Sequence, residues 1–406
     1  MLATVWAGVL AGAESRMPAA AGSGMRAAAT TSAAACIEAG EHSEAAIGMA
    51  RCLIAAGRGV EAILLLQRIL ARRPDDGDAR ALLLAVLAEV NAGSLAHEMS
   101  LAEGGAWGTW WRRALESTRH ATRIGFAIGH DSNINSATAI DVVTIPALNY
   151  RSVALNPLLV RRASTFAGIN AALALKIPLS DSVNVVARGA VTARYNAAQY
   201  EYFPHNYALA SAIEKRFGGL SLELAADYVQ RRVAGFRVVD RMNYEATLGL
   251  TPAPTVRLSA TLASARNTYP LFAGIRTDEH SAGLRVAHTA SGLALSLHVG
   301  RERSIGAIKD LDRDYTALSL DWNRAIGSAG RVYLHLGESR SDYLAFSPLF
   351  LAQRVDKVRQ FVLAYEHRIG ANWALTPRLA MEHNASTIPI IAFRRTQWML
   401  ELSKDF

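Results

Sequence analysis

The residue types of a hydrolytic site stand side by side at His130, Asp131 and Ser132. Triad members converge from separate parts of a chain, whereas consecutive residues of a strand point to opposite faces. The sequence contains no Gly-x-Ser-x-Gly, His-Glu-x-x-His or phosphate-binding glycine-lysine motif. We therefore predict no catalytic residues and no enzyme activity. A hydrolase stays open as an alternative only through an arrangement that spacing does not reveal.

Oxygen-bearing side chains recur at every second position in Asp131, Asn133 and Asn135, so that they share one face of a strand. Such a face can form hydrogen bonds with neighbouring strands or line an opening. A calcium site is the alternative, because hard cations take oxygen ligands. The run lacks the glycine and the terminal glutamate of a twelve-residue calcium loop. We predict a hydrogen-bonding role, no metal site and no cofactor.

The composition limits the class of protein. Of 406 residues, 51% are apolar and 19% are charged, against about 25% charged in an ordinary soluble domain. No apolar run reaches the roughly 18 residues of a membrane-spanning helix. Disorder, collagen and a disulfide-rich miniprotein are excluded. A large soluble β-protein and a membrane β-barrel remain.

The net charge of +8 does not indicate a nucleic-acid partner, because the arginines are scattered rather than clustered. The two cysteines, Cys36 and Cys52, could form one disulfide in an oxidising compartment or remain two buried thiols. The pattern slightly favours the thiols. Residues 1–35 are predicted to be a signal or disordered segment, because Leu2–Ala11 is apolar and small residues follow it.

Residues 36–118 show helical spacing of apolar residues. Helices are predicted over Met49–Ala56, Val60–Arg72 and Asp78–Asn91, with glycine and proline at their ends. Ala62, Leu66 and Ile69 share one face, as in the second half of a tetratricopeptide repeat, and a plain helical hairpin is the alternative. Three tryptophans follow and could pack in this domain or lie at a membrane interface: Trp107, Trp110 and Trp111.

From residue 119 onward the apolar period is two. The alternation predicts about fourteen strands, and the connections between them alternate between short and long. The short connections are Pro178–Asp181, Phe217–Gly219, Thr251–Thr255, Thr289–Gly292, Ile326–Gly330 and Ile369–Asn372. The long connections fall near 131–162, 196–203, 231–238, 267–277, 303–311, 341–354 and 386–391.

An even number of strands with short turns at one end and long loops at the other is typical of an outer-membrane barrel. The charges support this fold class, since a charge facing lipid would cost about 2–4 kcal/mol at mid-bilayer. A soluble β-sandwich is the alternative. Sixteen charged residues are predicted to face the lumen: Arg188, Arg194, Glu214, Arg216, Glu223, Asp227, Arg241, Glu245, Arg257, Arg285, Glu302, Asp321, Glu366, Arg368, Arg378 and Glu382.

The last strand carries Trp398, Leu400, Leu402 and Phe406 on one face. An aromatic terminus on an amphipathic strand resembles the signal that outer-membrane proteins present to the barrel-assembly machinery, although Lys404 departs from the usual apolar residue. Both ends of the predicted barrel lie on the short-turn side. The helical domain is therefore expected on that side, in the periplasm.

The run Gly129, Asp131, Ser132, Asn133, Ile134 and Asn135 resembles the opening of the barrel in the surface lipoprotein assembly modifier family, called Slam. The resemblance extends over residues 45 to 406. It implies tetratricopeptide repeats followed by a fourteen-strand outer-membrane barrel that helps lipoproteins reach the cell surface. The partners it implies are client lipoproteins, which the helical domain would hold and the barrel would pass.

We expect the chain to contact outer-membrane lipid and to act as a monomer. A polysaccharide-exporting or passive porin is the alternative function, because related barrels with repeat domains serve that role.

Overall fold

The computed structural model describes residues 43–55, 58–90, 115, 119–198, 202–270, 275–306 and 309–406. Three helices precede a closed antiparallel barrel of fourteen strands, which confirms the predicted fold class. The helices are α1 (Ser43–Ala55), α2 (Gly59–Arg72) and α3 (Gly77–Val90). None of the described helices is long and apolar enough to cross a bilayer. The predicted signal segment, the three tryptophans and Cys36 lie outside the described residues.

The barrel strands are β1 and β4–β16, and β2 and β3 form a small hairpin inside the first long loop. Their bounds are β1 His120–Asp131, β2 Val142–Ile145, β3 Arg151–Ala154, β4 Ser164–Pro178, β5 Val183–Asn196, β6 His205–Phe217, β7 Leu220–Val233, β8 Phe236–Ala253, β9 Val256–Tyr269, β10 Ile275–His288, β11 Leu293–Ser304, β12 Arg313–Ile326, β13 Gly330–Ser347, β14 Ala352–Ile369, β15 Trp373–Ser386 and β16 Phe393–Asp405.

The helices form where the apolar period predicts them. Ala62 and Leu66 are fully buried in α2, and Pro74 follows its end. The Asp76 carboxylate accepts a 3.0 Å hydrogen bond from the backbone N–H of Ala79, which satisfies a free donor in the first turn of α3. Helix α1 begins at Ser43, six residues before the predicted start at Met49.

Each barrel strand pairs with its neighbour in sequence, and β1 closes the ring by pairing with β16 over nine residue pairs. The two faces of the strands differ. Phe126 and Ile128 of β1 are 60% and 61% exposed on the outer face. Arg123, on the inner face, reaches Glu366 of β14 across the lumen side of β16 and β15. An apolar outside and a charged inside are the arrangement of a transmembrane β-barrel.

The short turns lie where they were predicted, but the predictions of two long loops were wrong. Strands β7 and β8 continue through 231–238 and meet in a two-residue turn at Ala234 and Gly235. Both turn residues have positive φ, as a type I′ hairpin requires. Because alanine rarely adopts a positive φ, the residue at 234 does not predict such a turn. Strands β13 and β14 likewise extend through most of 341–354, because charged residues beyond the apolar belt still pair their backbones.

We expected the helices on the short-turn side of the barrel. They lie instead over the mouth formed by the long loops. Leu66 and Leu83 belong to one buried apolar cluster with Leu155, Leu159 and Ile390 of the long loops. Leu84 packs with further residues at the same end, which are Ile134, Tyr202, Val233 and Val238. We call α1–α3 the mouth cover. Period-two and period-3.6 patterns identify buried faces, but they do not say which faces meet.

Helix α3, which ends at Val90, packs at the long-loop mouth through Leu83 and Leu84. Leu115 is buried against Ala174 and Val186 on the inner wall near the short turns, five residues before β1 begins. The described chain therefore lies at one mouth of the barrel in α3 and near the other at Leu115.

Cys52 of α1 is disulfide-bonded, so the slight preference for two free thiols was wrong. The chain has one other cysteine, Cys36. Cysteine spacing alone does not distinguish a thiol pair from a disulfide. A disulfide is the state expected in an oxidising compartment.

The seam between β1 and β16 leaves no room for a side chain at Gly129. A Cβ there would meet the carbonyl oxygen of Trp398, with Phe166 Cζ at 2.7 Å and Met399 Cβ at 2.9 Å. We expect Gly129→Ala to prevent ring closure, so that the heat-modifiable folded band is lost on gel electrophoresis. Gly189→Ala is the control, since its nearest neighbour would lie at 3.5 Å. A folded band of normal intensity for Gly129→Ala would contradict the tight seam.

Candidate functional site

Two regions could carry function: the inner wall of the barrel, and the loop mouth that the helices cover. Among the described residues, no group of three or more His, Cys, Asp or Glu side chains is placed to hold a metal ion. Of the run 130–132, His130 and Asp131 end β1 and Ser132 follows it, where its hydroxyl accepts the backbone N–H of Thr396 at 2.8 Å.

Asp131 ties three strands together from the end of β1. Its carboxylate is fully buried and accepts hydrogen bonds from Arg194 of β5 at 2.8 Å, Arg395 of β16 at 2.8 Å and Gln397 at 2.6 Å. It also accepts the backbone N–H of Asn133 at 2.9 Å. A carboxylate with this many donors is well stabilised only while all of them remain in place.

Asn133 and Asn135 fold the first long loop back onto the barrel. The Asn133 amide donates to the carbonyl of Ala137 at 2.8 Å and accepts the N–H of the same residue at 3.0 Å. The Asn135 amide donates to the carbonyls of Leu158 and Val160 and accepts the N–H of Arg162. These oxygens bind N–H donors and do not converge on a common centre. The run thus joins the start of the loop to its end.

The sixteen charged residues predicted for the lumen all lie on the inner strand face. The ion pairs of the described residues include six of them: Arg194, Arg241, Arg285, Glu302, Asp321 and Glu366. The register places the remaining ten on the same face: Arg188, Glu214, Arg216, Glu223, Asp227, Glu245, Arg257, Arg368, Arg378 and Glu382. Both signs of charge are present on the wall.

The densest charge network joins β8 to β12 beneath the mouth cover, and sequence reasoning found only part of it. Glu279 pairs with Arg241 at 2.5 Å and accepts from Tyr315 at 2.6 Å. Glu302 pairs with Arg313 at 3.0 Å and accepts from three hydroxyl and amide groups: Asn267, Tyr269 and Thr277. Arg241 and Glu302 were predicted to face the lumen. Glu279 and Arg313 were not singled out, although they share the inner face of β10 and β12 just past the predicted loops.

A second inner cluster lies at the short-turn end, where Glu366 was predicted to face the lumen and Arg123 and Asp405 were not singled out. Arg123 is 2% exposed and pairs with Asp405 at 2.5 Å and Glu366 at 3.1 Å. Asn170 nearby donates to Glu401 at 2.9 Å. The lumen wall is therefore cross-linked by charge at both ends.

The mouth cover contacts the loops through polar groups as well as through the apolar cluster. The Gln67 amide donates to the carbonyl of Ala154, at the end of β3. Burial and the nearby Glu61 carboxylate of α2 raise the pKa of Asp310, in the β11–β12 loop, to about 6, and Arg58 opposes the rise. Three separate long loops thus meet the helices.

The C-terminal residues singled out as an assembly signal all face outward from β16. Trp398, Leu400, Leu402 and Phe406 are 53%, 37%, 41% and 60% exposed. The Lys404 ammonium lies 4.7 Å from the Phe406 ring and 5.4 Å from the Trp373 ring. The lysine therefore places its charge over aromatic faces at the edge of the apolar belt.

The family model of the tetratricopeptide repeat matches residues 20–87, which include α1, α2 and most of α3. No curated protein matches the chain. Similar solved barrels include OccK9 (OpdG) of Pseudomonas aeruginosa, with 8% identity, 71% of this chain and 98% of that chain covered, and a TM-score of 0.40. Another is the anion-selective porin from Comamonas acidovorans, with 11% identity, 71% and 98% coverage and a TM-score of 0.36. Likenesses this weak support no statement about function.

Removing the charge of Asp131 should leave two partly buried arginines without their carboxylate partner. For Asp131→Asn we expect the free energy of unfolding in lipid to fall by about 3–5 kcal/mol, the usual cost of breaking a buried pair. Denaturant titration of the reconstituted barrel measures it. Asp278→Asn is the control, because its partner Arg266 is an exposed residue and such pairs contribute about 0–1 kcal/mol. Equal losses for the two variants would contradict the role of Asp131.

Proposed function

We propose that the protein is an outer-membrane translocation or assembly factor that promotes the display of lipoproteins on the cell surface. The observation that carries the proposal is the tetratricopeptide-like domain packed into the mouth of a charge-lined barrel. A barrel of fourteen strands has room for a lumen, and a domain that closes its mouth makes passage conditional. Conditional passage distinguishes a translocation device from an open channel.

The outer membrane is the setting that the outer surface favours. Large apolar side chains cover it, and the exposed aromatics Trp373, Trp398 and Phe406 lie toward its edges. Short turns face the periplasm in barrels of this kind, and long loops face the exterior. In that orientation the mouth cover lies at the cell surface. This position replaces the periplasmic one that the sequence led us to expect.

The class of client, a lipoprotein, is inferred from the resemblance between residues 129–135 and the opening of the barrel in the Slam family. Helical repeats bind extended peptide segments on their faces. At the outer mouth the domain would meet a client as it leaves the lumen, and would hold it there. A client in transit also needs the mouth cover to move, and the cover is held by side-chain contacts that a competing peptide can replace.

A porin-type channel, passive or for polysaccharide, is the second candidate. The observation in its favour is the polar wall with both signs of charge, which suits hydrated solutes of either charge. Electrical conductance separates the two candidates, because a porin conducts at rest and a covered barrel does not.

The intact protein should show little conductance in a planar bilayer. We expect Leu159→Asp to produce stable open steps, since it places a charge within the apolar contact between the first long loop and α2 and loosens the mouth cover. Leu148→Asp is the matched control in the same loop, because Leu148 is 46% exposed. Large steady conductance of the unaltered protein would favour the porin instead.

Deleting the gene tests the client directly. We expect at least one lipoprotein to lose its sensitivity to protease added to intact cells, while its total amount and its sensitivity in lysed cells persist. The unaltered gene on a plasmid should restore surface cleavage. If every surface lipoprotein is cleaved as before, the proposed function is wrong.

A further inference from the structure

The chain that leads into the first barrel strand lies inside the ring. The carbonyl oxygen of Arg119 accepts a 2.7 Å hydrogen bond from the backbone N–H of Lys176, so residue 119 still follows the short-turn end of β4. Four residues earlier, Leu115 is 4% exposed and packs against Ala174 of β4. Ala174 faces the lumen and is the register partner of Ala121 in β1. Leu115 therefore lies within the barrel at the height where β1 begins, and not beyond the short-turn end.

The other end of the same connection starts at the opposite mouth. Leu83 and Leu84 of α3 pack with the long loops, and α3 ends at Val90. Residues 91–114, a length of 24 residues, join this helix to Leu115. They reach up to about 80 Å as an extended chain and about 36 Å as a helix. The 12 residues of β1 extend about 40 Å along a tilted strand, so the connection is long enough to join the two mouths.

The composition of this connection excludes a path through the lipid. Its residues include Glu98, Glu103, Arg112 and Arg113, and its apolar runs are far shorter than the roughly 18 residues of a membrane helix. In lipid, backbone groups outside a helix or a closed sheet have no partner, and charged side chains are costly. The lumen is the route between the two mouths that supplies water and polar partners.

The inner face of β4 to β6 leaves room for a chain to pass. At mid-height it carries short side chains, with Arg188 between them, and we call this surface the alanine wall: Ala172, Ala174, Ala190, Ala208, Ala210 and Ala212. Across the lumen, the inner face of β13 to β15 carries longer side chains such as Tyr333, His335 and Arg378. Leu115 already occupies the end of the alanine wall nearest the short turns, which indicates where the rest of the connection enters.

We propose that the barrel displays its own helical domain on the cell surface, with residues 91–114 passing through the lumen along the alanine wall. A domain that lies outside the cell, ahead of a first strand that begins in the periplasm, has to be joined to that strand across the membrane. The inference goes beyond the proposed function and shares with it the orientation with long loops outward. The helical domain is then itself a substrate of the barrel, and the charged inner face of β8 to β12 is left to a client.

Surface display is measured by labelling introduced cysteines with a membrane-impermeant maleimide. Asp75→Cys lies in the exposed turn between α2 and α3, and Asp181→Cys in the exposed short turn between β4 and β5. We expect Asp75→Cys to be labelled equally in intact and lysed cells, and Asp181→Cys only after lysis. The unaltered protein, whose Cys52 is disulfide-bonded, gives the background. Labelling of Asp75→Cys only after lysis, or of Asp181→Cys in intact cells, would overturn the proposal.

The path is measured with a photo-crosslinking residue, p-benzoylphenylalanine, placed at Ala190 of the alanine wall. Trypsin releases most of the connection within one peptide, residues 81–112. We expect irradiation of the purified full-length protein to join the probe to a residue within 91–112, as mass spectrometry of the peptides detects. Val191 is the matched control, because its side chain is 43% exposed on the outer face, and it should give no such product. No product from position 190, or equal product from both positions, contradicts the lumenal path.

The heat-modifiable band verifies that each variant is folded. If the derivative at Ala190 is not, the probe is placed at Ala208, the register partner of Ala190 on β6. Neither experiment reads a lipoprotein, and the gene deletion reads no part of this path, so either proposal can fail while the other holds.

Discussion

Closure of the strand ring is the constraint on which the rest of the structure depends. In a bilayer every backbone N–H and C=O needs a partner within the protein, and an open edge would leave a full row of them without one. Strand β1 meets this demand by pairing with β4 on one side and β16 on the other. Gly129 permits the close approach at the seam, and Asp131 holds the end of the same strand.

Closure then divides the side chains into two environments. Once the ring is shut, alternate residues face lipid or lumen along the regular stretches of each strand, and inner charges such as Arg241, Arg285 and Glu302 pair with charges from other strands. Charges removed from water are tolerated when paired and hydrogen-bonded. Arg123 with Asp405 and Glu366, and Glu302 with Arg313, show this pairing at the two ends of the lumen. These pairs brace the wall that surrounds the lumen.

The alternation of apolar residues was sufficient to predict the fourteen strands and the inner position of charges such as Arg241 and Glu302, because both are consequences of the period of two. The side on which the helices lie was not predictable. Leu66 and Leu159 are each apolar residues of a buried face, and nothing in their own segments states that the two faces meet. The β7–β8 hairpin was missed for a local reason, since Ala234 adopts a positive φ that its residue type does not signal. The disulfide of Cys52 depends on compartment, which spacing does not encode.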